Sequence, residues 1–365
     1  MNYYKVKEGK MRILYISDGF VNLSVFDSQV HTLCNYHAQR NVVTLLALSG
    51  IKEYHKSGRS NAQYSLRKAL RLPKAFIPII NLYNAKLINS NLFNSVDIIH
   101  CRGHVSAAIA IYLKRKYKFS IPIIADIRGA IVDELKNKNS ILARYYANQA
   151  VVLERFVFSY ADFFFFVSFN MKKYYSDKYD ISIDKSEVFP TIVDETYFFS
   201  SDSLRNKMRK KLNITDKFVY VYCGGTDYWQ NIDKILMKFK EASSKDKTIF
   251  LLMLVKNPQD IKEFCHRHSI KENIIIMSVE YSEVGKYLNA ADAGIIIRKE
   301  DIINFVASPT KVNEYLACGL RIIDQLDDIG NKNIESSKKY HYMPLQNIIA
   351  RQQQVYSELV ANNKR

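Results

Sequence analysis

Two adjacent glycines, Gly224-Gly225, close the apolar run Phe218-Val219-Tyr220-Val221-Tyr222-Cys223 and stand shortly before a helical stretch that begins after Asn231. Glycine lets a backbone come close to an anion, and a helix N-terminus attracts one, so a strand, two glycines and a helix suit a phosphate cradle. They suit a plain tight turn equally well. Polar clusters follow other apolar runs in the same way: Ser17-Asp18-Gly19, Cys101-Arg102-Gly103-His104, Asp126-Ile127-Arg128-Gly129, Val167-Ser168 and Arg298-Lys299-Glu300. Guanidinium groups, carboxylates and an imidazole at such places bind anions, orient hydroxyls or move protons.

The elements that must position these clusters are legible as an alternation. Arg12-Ile13-Leu14-Tyr15-Ile16, a helix-like stretch from Phe26 to Arg40, and Val42-Val43-Thr44-Leu45-Leu46 read as a βαβ opening. The pattern goes on through Asp97-Ile98-Ile99-His100, a helix near Val105 to Tyr117, the run Pro122 to Asp126, a long helix near Ile141 to Tyr160, Phe163 to Val167 and Ser186 to Pro190. Runs that are apolar throughout predict parallel strands covered by helices on both faces. After a polar, charged stretch from Asp194 to Lys217 the same grammar restarts. Strand-like runs recur at Phe218 to Tyr222, Ile249 to Val255, Ile274 to Met277, Gly294 to Ile297 and Arg321 to Ile323, with a last helix at Gln346 to Asn362. In doubly wound sheets ligands bind beyond the carboxyl ends of the strands, which is where the polar clusters fall. Two such sheets facing each other would place the chemistry in the cleft between domains.

Composition narrows the classes. The chain has 365 residues, 48% apolar and 24% charged, enough for two domains with cores of their own. Twelve glycines and seven prolines exclude a fibrous or low-complexity chain, and no apolar run approaches the roughly 20 residues that span a bilayer. The polar start Met1-Asn2-Tyr3-Tyr4-Lys5 lacks an apolar leader region, which predicts a cytoplasmic protein. Cys34, Cys101, Cys223, Cys265 and Cys318 are scattered without CxxC spacing, as reduced core residues would be. Fifty-three Lys and Arg against 36 Asp and Glu give a net charge of +17, which favours polyanions. No nucleic-acid-binding pattern accompanies that charge. Much of it lies in residues 51–90, where Lys52, Lys56, Arg59, Arg67, Lys68, Arg71, Lys74 and Lys86 interleave with leucines, isoleucines and a phenylalanine. Such a segment fits an anionic membrane surface, or a solvated helix covering the sheet.

The run Ala291-Asp292-Ala293-Gly294-Ile295-Ile296-Ile297, followed by Ser308-Pro309-Thr310-Lys311-Val312-Asn313-Glu314-Tyr315-Leu316-Ala317-Cys318-Gly319-Leu320, closely resembles the donor-site signature of family 4 glycosyltransferases of the GT-B fold. Asp126-Ile127-Arg128-Gly129, Val167-Ser168, Phe189-Pro190-Thr191 and Gly224-Gly225 with Trp229-Gln230-Asn231 resemble the family in the same order along the chain. The resemblance implies an α/β protein with two facing Rossmann-like doubly wound parallel sheets. Residues 1–195 would bind the acceptor and residues 196–345 the nucleotide sugar, while residues 346–365 would form a helix packing back on the first domain. It implies a hinge near Asp194 to Asp202. It also implies a retaining transfer of a sugar from a nucleoside diphosphate to an acceptor hydroxyl, on a lipid-linked or growing cell-surface glycan, at the inner face of a membrane.

In that family pattern Glu314 holds the ribose hydroxyls, which can donate to its two oxygens. Ser308, Thr310 and Lys311 would meet the diphosphate at a helix N-terminus, with Gly224 and Gly225 making room for it. Arg128 lies where many relatives carry a histidine. As an arginine it suits a phosphate or the leaving diphosphate and is a poor base. Asp126 and Asp133-Glu134 would orient it or the acceptor, or else serve as structural caps and solvated surface, and His104 is either a catalytic imidazole or an ordinary helix start. No cofactor and no metal is expected, since no DxD triplet of the metal-binding kind is present.

The departures are specific. Val306 stands where a second glutamate is common, and the cations that usually clamp the diphosphate fall on or near Thr226 and Asn231, so Lys311 and Arg298 become the candidates. Two rival readings follow: a sugar-nucleotide epimerase of the same fold, opposed by the signature ending at Glu314, and a non-catalytic partner that has lost the clamp.

Overall fold

The computed structural model describes residues 10–18, 26–49, 65–70, 92–93, 95–138, 140–179, 184–226, 230–337, 339–340 and 342–363. The chain forms two compact units, one of Met1–Pro190, Phe305–Ala307 and Gln346–Arg365, the other of Thr191–Asn304 and Ser308–Leu345.

The first unit is built on β1 (Arg12–Asp18), α1 (Thr32–Ala38), β2 (Val42–Ser49), β3 (Ser65–Leu70), β4 (Ile98–Arg102), α2 (His104–Tyr117), β5 (Ile123–Ile127), α3 (Ile131–Lys136), α4 (Ile141–Tyr160), β6 (Phe163–Phe166), α5 (Phe169–Tyr179) and β7 (Ser186–Val188). Its strands are all parallel, in the order β3-β2-β1-β4-β5-β6-β7. The stretch read as one helix from Phe26 to Arg40 is a π-helical turn, Asp27–His31, leading into α1. Of the basic segment 51–90, Ser65–Leu70 is a strand paired with β2, Thr44 beside Ser65. The remainder lies outside the described residues.

The second unit contains α6 (Asp202–Leu212), β8 (Phe218–Gly224), α7 (Ile232–Lys245), β9 (Ile249–Val255), α8 (Pro258–Arg267), β10 (Ile274–Met277), α9 (Tyr281–Leu288), β11 (Ala293–Ile295), α10 (Thr310–Ala317) and β12 (Arg321–Ile323). Its sheet is also parallel, ordered β10-β9-β8-β11-β12. Burial on both faces explains the unbroken apolar runs: Val219 and Val221 pack into one core, Tyr220 and Tyr222 into the core on the other side. On α7 the buried residues Ile232, Ile235, Leu236 and Phe239 make the stripe of a helix lying on a sheet. Helix α6 starts at Ser201, whose hydroxyl accepts from the Leu204 amide at 3.3 Å, and ends at Asn213 with φ +57°. Its Arg205 and Arg209 hold Asp292 just before β11.

A last helix, α11 (Leu345–Asn363), belongs to the first unit from Gln346 onward. It is tied there by polar contacts. Gln352 Oε1 lies 2.9 Å from His37 Nε2, Asn41 Nδ2 donates to Gln353 Oε1 at 2.7 Å, and Arg351 pairs with Glu187. All five cysteines are free thiols, four of them buried.

Candidate functional sites in the two units

In the second sheet the strand order reverses between β8 and β11, so their carboxyl ends open the crevice where such folds hold ligands. Gly224 ends β8 with φ +136°, a conformation side chains rarely adopt. A Cβ there would stand 2.3 Å from Lys311 Cε, so the glycine makes room for the lysine stem. Lys311 Nζ lies 4.6 Å from the Tyr222 ring centroid, 3.1 Å from the Tyr222 hydroxyl and 3.3 Å from Gln230 Oε1. Tyr222 and Gln230 meet it through neutral groups, whereas the hydrogen bond of a diphosphate to an ammonium is charge-assisted on both sides.

Lys311 is the second residue of α10, whose first-turn amides have no partner within the helix. Three residues on, Glu314 is buried, and burial pushes its carboxyl up to about 7 despite the Tyr281 hydroxyl, which donates to Oε1 at 3.4 Å, and despite Lys311. A carboxylate sheltered in this way suits two neighbouring hydroxyls, which satisfy both oxygens without bringing in bulk water. Ser308 Oγ accepts from the Thr191 amide at 3.2 Å, and Asn313 Nδ2 reaches the Thr191 carbonyl at 2.6 Å, so the approach to α10 is fixed from two sides. Thr310 opens the helix. Gly225 accepts from the Tyr222 hydroxyl. Arg298 sits half-buried with NH1 3.3 Å from Asn304 Oδ1, and desolvation lowers its pKa. The second unit therefore brings Gly224, Gly225, Lys311 and Glu314 to one end of its sheet. If the crevice takes the nucleoside diphosphate that the sequence resemblance implies, replacing Gly224 by alanine is expected to displace Lys311 and weaken that diphosphate about tenfold while leaving its nucleoside within about twofold, read by calorimetry. Equal losses for both would mean that the strand end itself had moved.

The first unit concentrates charge at β4 and β5, also beside its switch point between β1 and β4. His100 and Arg102 are two apart and so face one way, and Arg102 is the register partner of Asp126. Asp126 is fully buried, with Oδ1 2.7 Å from Arg128 Nε, and with Oδ2 3.2 Å from His100 Nε2 and 3.8 Å from Arg102 NH1. Burial alone would raise this carboxyl, but Arg128, His100 and Arg102 outweigh it and hold it well below the usual carboxylate range. Burial lowers the His100 pKa, which keeps the ring neutral. Its Nδ1 lies 2.6 Å from the hydroxyl of Tyr356 on α11, and its ring lies 4.4 Å from that of Tyr15. Arg128 also reaches the Phe189 and Pro190 carbonyls at 3.3 and 3.5 Å. One anion, two guanidiniums and a neutral imidazole leave the group with a net positive charge, suited to an anionic part of a substrate.

His104 does not join this group. It packs, buried, with Nε2 4.0 Å from Glu154 Oε1 and its ring against Tyr175 and Phe158, and burial lowers its pKa. Glu154 is also met by Tyr175, Lys178 and Tyr179, and the Tyr175 hydroxyl reaches the Gly129 carbonyl at 3.1 Å. Asp133 pairs with Tyr174 and Lys178, while the Glu134 carboxylate lies against Gly129. Arg128 and Asp126 belong to the first unit and Lys311 to the second. Among the described residues no group of three or more His, Cys, Asp or Glu could hold a metal ion. Tyr222, Tyr281, His100 and Tyr356 were not singled out from the sequence. Only the two-residue spacing of His100 and Arg102 on a strand could have pointed to any of them.

Residues 28–197 match the family model described as Glycosyltransferase Family 4. No curated protein matches the chain. Among solved structures, HepE of Anabaena in complex with UDP and glucose is similar over 97% of this chain and 93% of its own, at 12% identity and a TM-score of 0.59. A glycosyltransferase of Rickettsia africae is similar over 96% and 90%, at 17% identity and a TM-score of 0.60. WaaG, a glycosyltransferase involved in lipopolysaccharide biosynthesis, is similar over 96% and 94%, at 12% identity and a TM-score of 0.55. The chain therefore has the GT-B fold, and its residues 28–197 match the model of Glycosyltransferase Family 4.

Proposed function

We propose that this protein is a retaining glycosyltransferase that moves a sugar from a nucleoside diphosphate donor to an acceptor hydroxyl, on a lipid-linked or growing cell-surface glycan. The observation that carries the reading is the group at the end of β8. A buried carboxylate, Glu314, stands one helical turn from an ammonium, Lys311, that lies across a glycine at a helix N-terminus. Ribose hydroxyls at Glu314 and phosphates at Lys311 are the parts of a nucleoside diphosphate at about that separation.

In this reading the second unit binds the donor and the first unit the acceptor. The protein lends positive charge to the departing diphosphate through Lys311 and the first-turn amides of α10, and positions the acceptor hydroxyl. Arg128 and Arg102 attract an anionic group of the substrate. The leaving phosphate itself takes the acceptor proton, so no enzymic base is assigned and no metal is required. HepE has been solved with UDP and with UDP-glucose, which makes uridine nucleotides the first donors to try.

The test is calorimetric titration of UDP, GDP, UDP-glucose and GDP-mannose without added metal, followed by Lys311→Met with whichever binds. One nucleotide class is expected to bind, and Lys311→Met is expected to weaken its diphosphate about tenfold or more, about 1.4 kcal/mol. A folded protein that binds none of them would instead be the non-catalytic partner.

A further inference from the structure

Helices α3 and α4 form a hairpin in the first unit, with Val132 and Leu135 packed on Ala147 and Ala150. The face of α4 turned away from that contact is uncovered. Ile141 is 87% exposed, Leu142 64%, Tyr145 56% and Val152 60%. Ile141, Tyr145 and Val152 fall at helical spacing of four and seven, so they form one stripe, widened at its start by Leu142. A single exposed leucine needs no explanation, but four large apolar side chains on one helix face mark a surface that meets something.

The charges around the stripe select its occupant. Lys136 and Lys138 at the hairpin tip are exposed, as are Arg144 and Arg155 on α4, against one exposed acid, Glu134 on α3, since the one carboxylate of α4, Glu154, is buried. A second copy of the same face would bring these cations against their own counterparts, which opposes a dimer. A bilayer with anionic headgroups satisfies both features: isoleucine, leucine and tyrosine enter the boundary between headgroups and chains, and the lysines and arginines stay at the phosphates with their stems along the apolar surface. No helix among the described residues is long and apolar enough to cross a membrane, so such contact would be by this face and not by a span.

We propose that the α3–α4 hairpin, with Ile141, Leu142 and Tyr145 at its tip, is a docking surface for an anionic membrane. It places the contact outside residues 51–90, and it does not depend on the donor site, so the two readings fail separately.

The experiment is co-sedimentation of the full chain with phosphatidylcholine vesicles with and without a third phosphatidylglycerol. Wild type is expected on the anionic vesicles, at least about tenfold more strongly than on the neutral ones, and to be released by high salt. Two variants separate the contributions, Ile141→Ser with Leu142→Ser and Tyr145→Ser, and Lys136→Gln with Lys138→Gln and Arg144→Gln. Because all six side chains are at the surface, unchanged thermal unfolding will show that both variants fold. Each is expected to lose about tenfold or more in vesicle binding. Wild type that ignores anionic vesicles, or variants that bind as wild type does, would overturn the proposal. So would lipid-free wild type that dimerises through this face, with the apolar variant monomeric in sedimentation velocity.

Discussion

Glu314→Gln is expected to make the protein more stable and a poorer nucleotide binder at once. Burial raises this carboxyl from an ordinary 4.5 to about 7. The folded chain therefore holds a proton between pH 4.5 and 7 that the unfolded chain has released, and stability falls as pH rises through that window. Above pH 7 the buried charge costs up to about 3 kcal/mol, from some 2.5 pH units at about 1.4 kcal/mol each. Glutamine has the same shape and no charge, so urea unfolding at pH 8 should show a gain approaching that figure, and at pH 4 almost none. Binding moves the other way. Hydroxyls donating to the carboxylate favour its charged form, so wild-type affinity for UDP should climb by up to about tenfold between pH 6 and 8. The glutamine variant should bind about tenfold more weakly at pH 8, and the part of the pH response due to this carboxyl should vanish. UDP ionises in that range too, and the variant serves as its control. A residue retained at a cost to stability is what a binding site requires and a packing role does not. If Glu314→Gln is destabilising at pH 8 and binds UDP as wild type does, the carboxylate is structural.

How much of this was legible in the sequence depends on how far each feature reaches along the chain. The strands were, because a parallel sheet covered on both faces demands unbroken apolar runs such as Ile249–Val255, and helices carry one buried stripe each, as in α7. The residues proposed for the donor were legible as a group because Lys311 and Glu314 lie on one short helix and the glycines at the end of one strand. Their partners were not. Tyr281 is 33 residues before Glu314, and Tyr222 is 89 before Lys311. No local spacing announces such pairs. Residues 65–70 read as part of a basic amphipathic segment because their charges dominate, yet an available sheet edge makes them a strand. His104 is the opposite case. The sequence leaves it either a catalytic imidazole or a helix start; the fold shows that it opens α2, with the buried Glu154, 50 residues on, beside it.

The same distance effect makes Asp126 the most consequential residue of the first unit. It joins three separate stretches of chain: β4 through His100 and Arg102, the segment after β7 through Arg128, and α11 through Tyr356 on His100. To donate from Nε2 to the carboxylate, the neutral His100 ring must carry its proton there, which leaves Nδ1 to accept from the Tyr356 hydroxyl. Asp126→Asn keeps the shape and removes the charge. Two largely buried guanidiniums then lose their counter-ion, a change that typically costs about 3–5 kcal/mol. That loss should appear as a lower urea midpoint at pH 7.5. Its pH dependence is opposite to that of Glu314. The depressed pKa means that Asp126 contributes its stability above its ordinary 3.8, and that this is lost as pH falls below that value. The gap between wild type and variant should therefore be constant from about pH 8 to 5 and narrow only below about pH 4. Tyr356→Phe leaves the charges alone and removes one buried hydrogen bond, so it should cost less, about 1–3 kcal/mol. A smaller loss for Asp126→Asn than for Tyr356→Phe would mean that the guanidiniums find other partners. In that case Asp126 would not be what holds Arg128 in place.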